Sequence, residues 1–128
     1  MRIAFCLIGA ALIATPAAAA EWRQAREYEL RLSSFDIEPA TIRLKAGEPV
    51  RLRFVNLSST GYRLSAPRFF QASQLRPRDG RALSGGSVAV GAGDTREILL
   101  VPSPGRYSLR SSNLFHRVMG MSGTIVVE

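Results

Sequence analysis

The feature that most constrains the fold is an alternation of apolar and charged residues in several short segments. It occurs in residues 29–32, 42–45 and 50–54, whose sequences are ELRL, IRLK and VRLRF. A period of two is typical of a strand that buries one face and exposes the other. We therefore expect the Leu, Ile, Val and Phe side chains of these strands to point inward and the arginines to point outward.

Glycine- and proline-containing turns separate these segments from others of the same kind. Residues 68–73 are the one place where we expect a short helical turn. Short strands that recur roughly every 8–12 residues indicate an all-β sandwich. The sequence therefore predicts an antiparallel sandwich of seven or eight strands, the remaining ones being 62–65, 87–90, 97–101, 106–110 and 123–127.

The first twenty residues have the pattern of a secretory signal peptide. Arg2 precedes an apolar run over 3–13, and small residues end the segment at 18–20. The run is too short for a transmembrane anchor, which needs about 20 apolar residues. We expect residues 1–20 to be removed and residues 21–128 to form one domain in the periplasm, without a thiol, because Cys6 is the only cysteine.

The charge of the chain is strongly positive and is carried almost entirely by arginine. There are 17 basic and 10 acidic residues, a formal net charge of +7, and Lys45 is the only lysine. An arginine-rich face attracts acidic proteins or anionic surfaces, whereas an exported chain has little access to nucleic acid. The alternative is a solvated basic face without a partner.

Catalytic patterns are scarce. The chain has a single histidine, His116, and no serine in a Gly-x-Ser-x-Gly context. Asp36 and Glu38 lie two positions apart, where a solvated strand edge explains them better than an acid–base pair. We therefore do not expect an enzyme.

The stretch from Ser111 to Met121 carries the chemistry that the rest of the chain lacks. His116 is followed by Met119 and Met121, a His-x-x-Met-x-Met spacing. One imidazole and two thioethers are soft, neutral donors that favour Cu(I) over harder ions. Alternatively, the two methionines fill the top of the sandwich and His116 bonds a backbone carbonyl.

The order of motifs resembles that of exported cupredoxin-like domains, the fold of plastocyanin and azurin. The resemblance implies a Greek-key β-sandwich and a copper site. It spans nearly all of residues 21–128 and is carried by five segments, 35–47, 50–56, 66–70, 105–110 and 116–127.

Carried over by this resemblance, the first histidine position falls on Tyr62, the thiolate on Ser111, the second histidine on His116 and the methionine on Met121. Without a thiolate we expect no type 1 copper centre, and electron transfer is the disfavoured alternative. Tyr62 either hydrogen-bonds into the vacated site or packs in the core. Ser111, Ser112 and Asn113 are predicted to form a hydrogen-bonded plug there.

Together these patterns predict a periplasmic binding protein with an incomplete copper site. The leading hypothesis is copper handling, in which His116, Met119 and Met121 bind Cu(I) weakly. The alternative is a metal-free interaction module that docks an acidic envelope protein through its arginine-rich face. We expect a monomer in either case.

Overall fold

The computed structural model describes residues 21–128, so the predicted signal peptide and Cys6 lie outside the described residues. Two five-stranded sheets pack face to face. A 3-10 helix at Glu21–Gln24 precedes the first strand. The other elements are β1 Arg26–Ser33, β2 Asp36–Glu38, β3 Thr41–Leu44, β4 Val50–Asn56, β5 Tyr62–Ser65, α1 Pro67–Ala72, β6 Gln74–Leu75, α2 Pro77–Ala82, β7 Ser87–Val90, β8 Thr95–Val101, β9 Gly105–Ser111, α3 Leu114–Val118 and β10 Ser122–Val127.

The strand order is β2-β1-β4-β8-β6 in the first sheet and β3-β10-β9-β5-β7 in the second. Two pairs are parallel, β1 with β4 and β3 with β10. The predicted β-sandwich is confirmed, and the predicted antiparallel pairing holds for the other six strand pairs of the described residues but not for these two. The chain crosses to the second sheet at β3 and returns at β4, which brings β4 beside β1 in the same direction.

All eight predicted segments contain strands, and the short helix predicted over 68–73 is confirmed as α1. The described part of the chain has ten strands because β2 and β6 were missed. They have three and two residues, which is too short to show a period of two. The helices α2 and α3, of six and five residues, were also missed, because one or two turns are too short to show a helical period.

The core follows the alternation in the sequence. Every second residue of β4 is buried from Val50 through Phe54 to Asn56, and the arginines between them face outward. Phe69 of α1 and Leu64 of β5 are fully buried against the same cluster. Burial of one apolar face from each sheet is therefore what holds the two layers together.

Candidate functional site

The single histidine lies on α3, a one-turn helix between β9 and β10. Asn113 caps this helix: its side-chain oxygen accepts hydrogen bonds from the backbone N–H groups of Phe115, at 2.9 Å, and His116, at 3.2 Å. Such capping satisfies donors that a helix start leaves free. After Met119 the chain turns at Gly120, whose φ of 105° is a conformation that favours glycine.

Three of the four positions carried over from the family resemblance are joined directly. His116 Nδ1 lies 3.4 Å from Ser111 Oγ, which also accepts a hydrogen bond from the Asn113 N–H at 3.2 Å. The Met121 carbonyl accepts from the Ser111 N–H, and the Met121 N–H donates to the His116 carbonyl. The end of β9 and the start of β10 therefore hold Ser111, His116 and Met121 in one cluster.

The fourth position, Tyr62, closes this cluster from β5. Its ring meets the His116 imidazole edge to face, with centroids 5.2 Å apart, and only 5% of Tyr62 is exposed. The phenol oxygen lies 3.4 Å from the Phe35 N–H and 3.5 Å from the Ser33 carbonyl. Tyr62 thus packs as a core aromatic whose hydroxyl reaches the β1–β2 turn.

The two methionines lie in different environments. Met121 is fully buried and belongs to the core cluster, whereas Met119 is 52% exposed. Met119 lies among exposed apolar side chains of α3, which include Phe115 and Val118. Core packing at the top of the sandwich therefore describes Met121 but not Met119.

Sequence reasoning missed Phe35, which completes the enclosure of the imidazole. Its ring centroid lies 5.4 Å from that of His116 and 5.6 Å from that of Phe115. Phe35 adopts a φ of 58°, which is uncommon for a residue other than glycine. A two-residue turn between β1 and β2 requires this conformation, and no local sequence signal marked it.

Asn56 is the buried polar residue that shapes the loop before Tyr62. Its amide nitrogen contacts the carbonyl oxygens of Thr60, Val90 and Gly91, and its oxygen accepts from Ser58. Only 1% of Asn56 is exposed. These bonds attach the β4–β5 loop to the β7–β8 turn, and so set where β5 and Tyr62 begin.

No family model and no curated protein match the chain. Solved structures do. Auracyanin B is 21% identical with a TM-score of 0.59, covering 81% of this chain and 89% of its own. Dithionite-reduced auracyanin from Roseiflexus castenholzii is 13% identical with a TM-score of 0.59, and the match covers 81% of this chain and 98% of the auracyanin chain. A multi-copper oxidase from Pseudomonas thermotolerans is 15% identical with a TM-score of 0.63, and the match covers 81% of this chain and 29% of the oxidase chain.

The protein has a cupredoxin-like fold. The predicted resemblance is confirmed at this level, because the auracyanin chains are covered almost end to end. In residues 21–128 of this cupredoxin-like protein, no helix is long and apolar enough to cross a membrane.

The donor set of this cluster does not fit a type 1 copper centre. Such a centre depends on a thiolate, and Ser111 offers only a neutral hydroxyl. Among the described residues, no group of three or more His, Cys, Asp or Glu side chains is placed to hold a metal ion. The donors that remain are one imidazole and the thioethers, a set suited to Cu(I).

On the outer face of the first sheet, the arginines form ion pairs with glutamates of the same sheet. Arg31 pairs with Glu29 at 3.0 Å. Pairs across neighbouring strands follow: Arg51 with Glu97 at 3.8 Å and Arg53 with Glu27 at 3.9 Å. Guanidinium and carboxylate groups therefore alternate over this face.

The outer face of the second sheet differs. The exposed arginines Arg63, Arg106 and Arg110 form no ion pair within the part of the chain that the structure describes. The β10 residues that face β9 across the outer surface are Ser122, Thr124 and Val126, none of them acidic. Arg43 on the same sheet does pair, with Glu128 at 3.7 Å, so the two outer faces differ in how many of their arginines are paired rather than in how many they carry.

Proposed function

We propose that this protein is a periplasmic binding protein that uses a cupredoxin-like fold with an incomplete copper site to capture Cu(I) weakly. It binds and does not catalyse turnover. His116 supplies the imidazole nitrogen, the buried Met121 one thioether, and Met119 a second thioether at the surface. The proposal includes export by the N-terminal segment and a monomeric state.

The observation that carries this proposal is the clustering of His116 with Ser111 and Met121. The Nδ1 atom of His116 faces the hydroxyl that occupies the thiolate position, 3.4 Å away. Binding of Cu(I) would break this one long hydrogen bond and free the imidazole nitrogen as a donor, and Ser111 would not be a ligand.

Anaerobic titration with Cu(I) against a coloured chelator tests the proposal. We expect an affinity of about micromolar or tighter, corresponding to about −8 kcal/mol. His116→Ala and the double substitution Met119→Leu/Met121→Leu should each abolish uptake. Leucine has nearly the volume of methionine, so the core is retained. Absence of Cu(I) uptake by the unaltered protein, or unchanged uptake by His116→Ala, contradicts the proposal.

Restoring the two departed ligand positions provides a positive control. The double substitution Tyr62→His/Ser111→Cys places a thiolate and a second imidazole beside His116 and Met121. With Cu(II), this variant should show the intense visible absorption of a copper–thiolate bond, whereas the unaltered protein should remain colourless. A colourless variant that is correctly folded would show that these four positions do not form a common site.

The unequal charge of the two outer faces supports a second candidate function. In this alternative, the protein is a metal-free interaction module that docks an acidic envelope protein through its second sheet. Docking through exposed charges weakens as salt rises, because charges are screened beyond about 8–10 Å at physiological ionic strength. Binding that is lost at high salt and indifferent to Cu(I) supports this candidate.

A further inference from the structure

The second sheet carries a groove whose charged lining residues are all arginines. Arg68 of α1, Arg106 and Arg110 of β9, and Arg117 at the end of α3 surround a volume of about 800 Å³. The other lining residues are serines, prolines, a glycine and a tyrosine. None of the four arginines forms an ion pair with any residue in the range 21–128. We call this the arginine groove.

Strand β9 forms one wall with a regular pattern. Arg106, Ser108 and Arg110 are exposed, whereas Leu109 and Ser111 between and beyond them are buried. Residues two apart on a strand share a face, so the two arginines stand about 13 Å apart with a serine between them. A ligand that fits this wall carries anionic groups repeated along an extended chain.

The backbone of β9 is open along the same wall. Strand β10 pairs with β9 from Gly105 to Arg110, but β5 pairs with β9 only at Ser111 and Arg110. Within the described residues, the portion from Gly105 to Leu109 therefore has no strand neighbour on the β5 side. The ring of Tyr107 packs against α1 beneath this opening, with its centroid 5.4 Å from that of Phe69.

The direction of the free backbone groups follows from the register. The Ser112 N–H donates to the Arg63 carbonyl on the β5 side, and the Ser111 N–H donates to Met121 on the β10 side. Because alternate residues of a strand direct their backbone groups to opposite sides, Ser108 and Arg106 direct theirs toward the opening. An extended chain lying there meets hydrogen-bond donors and acceptors as well as guanidinium groups.

Arg117 has a buried hydrogen-bond donor that is not satisfied. Its Nε atom is buried without a hydrogen-bond partner. The Nε atoms of Arg51 and Arg53 also lack one, but each of those arginines has a carboxylate within ion-pair distance. A buried donor that stays unsatisfied costs free energy, so an acceptor that reached Arg117 Nε on binding would offset that cost.

We propose that the arginine groove binds an extended acidic segment of a partner polypeptide, which adds to β9 as a strand. Carboxylates at alternate positions of the segment meet Arg106 and Arg110, and its backbone pairs with Arg106 and Ser108. A lipid headgroup is a poorer fit, because the exposed large apolar residues lie on α3 and at Leu57, outside the groove. The inference rests on the second candidate function.

The test uses a fluorescent peptide of alternating Glu and Thr, about eight residues long, which lies within the usual range of strand lengths. Anisotropy should report binding at about 0.02 M salt and weaker binding at about 0.3 M. The same peptide with N-methyl groups on alternate residues keeps the charge and loses the backbone bonds. Its binding should be at least about tenfold weaker.

Two matched double variants locate the binding surface. Arg106→Gln/Arg110→Gln should weaken binding of the peptide at least about tenfold, a larger effect than loss of two rim charges alone. Arg31→Gln/Arg53→Gln removes the same charge from the first sheet and should change binding less than about twofold. Circular dichroism of both variants checks that they fold. Equal losses in the two variants would overturn the assignment.

The remaining outcomes separate the inference from the function on which it rests. Equal affinity for the N-methylated peptide overturns strand addition and leaves acidic docking intact. Displacement of the peptide by inorganic phosphate, or binding of phosphatidylglycerol vesicles in place of the peptide, overturns the proposal that the ligand is a polypeptide. If no acidic probe binds at low salt, both the inference and the second candidate function fail.

Discussion

The two outer faces of the sandwich contain similar local sequences, but the arginines of one are paired with carboxylates and most of those on the other are not. Arg53 on the first sheet lies across from Glu29 and Glu97 on the two neighbouring strands and forms an ion pair with Glu27. Arg106 on the second sheet lies across from Val126. An exposed arginine on an alternating strand is therefore a structural ion-pair partner or a free binding group, depending on a strand far away in the sequence.

The largest expected effect concerns the edge of the first sheet, where a charge is buried. Asp79 of α2 is 5% exposed; it holds Arg76 through two hydrogen bonds and accepts from the Leu99 N–H at 3.0 Å. Asp79→Ala leaves both partners unsatisfied and should lower the free energy of unfolding by about 3 kcal/mol. Urea unfolding followed by circular dichroism measures it.

Asp36→Ala is the matched control for that substitution. Asp36 is also on the first sheet, but it is exposed and forms no ion pair or side-chain hydrogen bond within residues 21–128. Its loss should change the free energy of unfolding by less than about 0.5 kcal/mol. Similar losses of unfolding free energy in the two variants would show that the buried contacts of Asp79 do not stabilise the edge of the first sheet.

A smaller effect is expected from breaking the surface ion pairs of the first sheet. Glu27→Gln/Glu97→Gln leaves Arg51 and Arg53 without carboxylates and should lower the free energy of unfolding by about 1 kcal/mol at low salt. The difference should shrink as salt is added, because exposed charges are screened. Thermal unfolding at two salt concentrations checks both statements, and a loss independent of salt would contradict them.

The smallest effect on stability is expected when the second face is made to resemble the first. Ser108→Glu places a carboxylate between Arg106 and Arg110, about 7 Å along the strand from each. The free energy of unfolding should rise by up to about 0.5 kcal/mol. Ser108→Gln, which has the same size without the charge, should leave it unchanged.

The same substitution sharpens the functional contrast. A carboxylate at position 108 competes with an acidic ligand for both arginines, so Ser108→Glu should weaken binding of the Glu-Thr peptide by about tenfold. Ser108→Gln should leave binding within about twofold. Equal peptide affinity for the two variants would show that the outer face of β9 is not the wall that meets the ligand.

The alternation in β4 predicted both its strand and its buried face, because the period of two depends only on local backbone geometry. The same reasoning located β5 and β7 to the residue. It failed for the two parallel pairs, since these depend on which sheet the chain enters next, and for β6, which is too short to show a period. Strand pairing is a property of the whole chain.

The candidate site was predictable in part. The spacing after His116 identified the loop, and the order of motifs predicted that Tyr62 and Ser111 would lie near it; the edge-to-face contact and the 3.4 Å separation show that they do. Whether His116, Met119 and Met121 bind copper remains a prediction. Phe35 was not predictable, because its position depends on a tight turn and on α3 packing from the opposite end of the chain.

The sequence by itself determined that this chain forms a β-sandwich and that residues 21–128 contain no cysteine, since both follow from residue type and local order. Only the tertiary structure decided which arginines are neutralised and which line an open groove. The physical reason is that cross-strand neighbours are set by register between distant segments. Charge at a protein surface acts through those neighbours within a few ångströms.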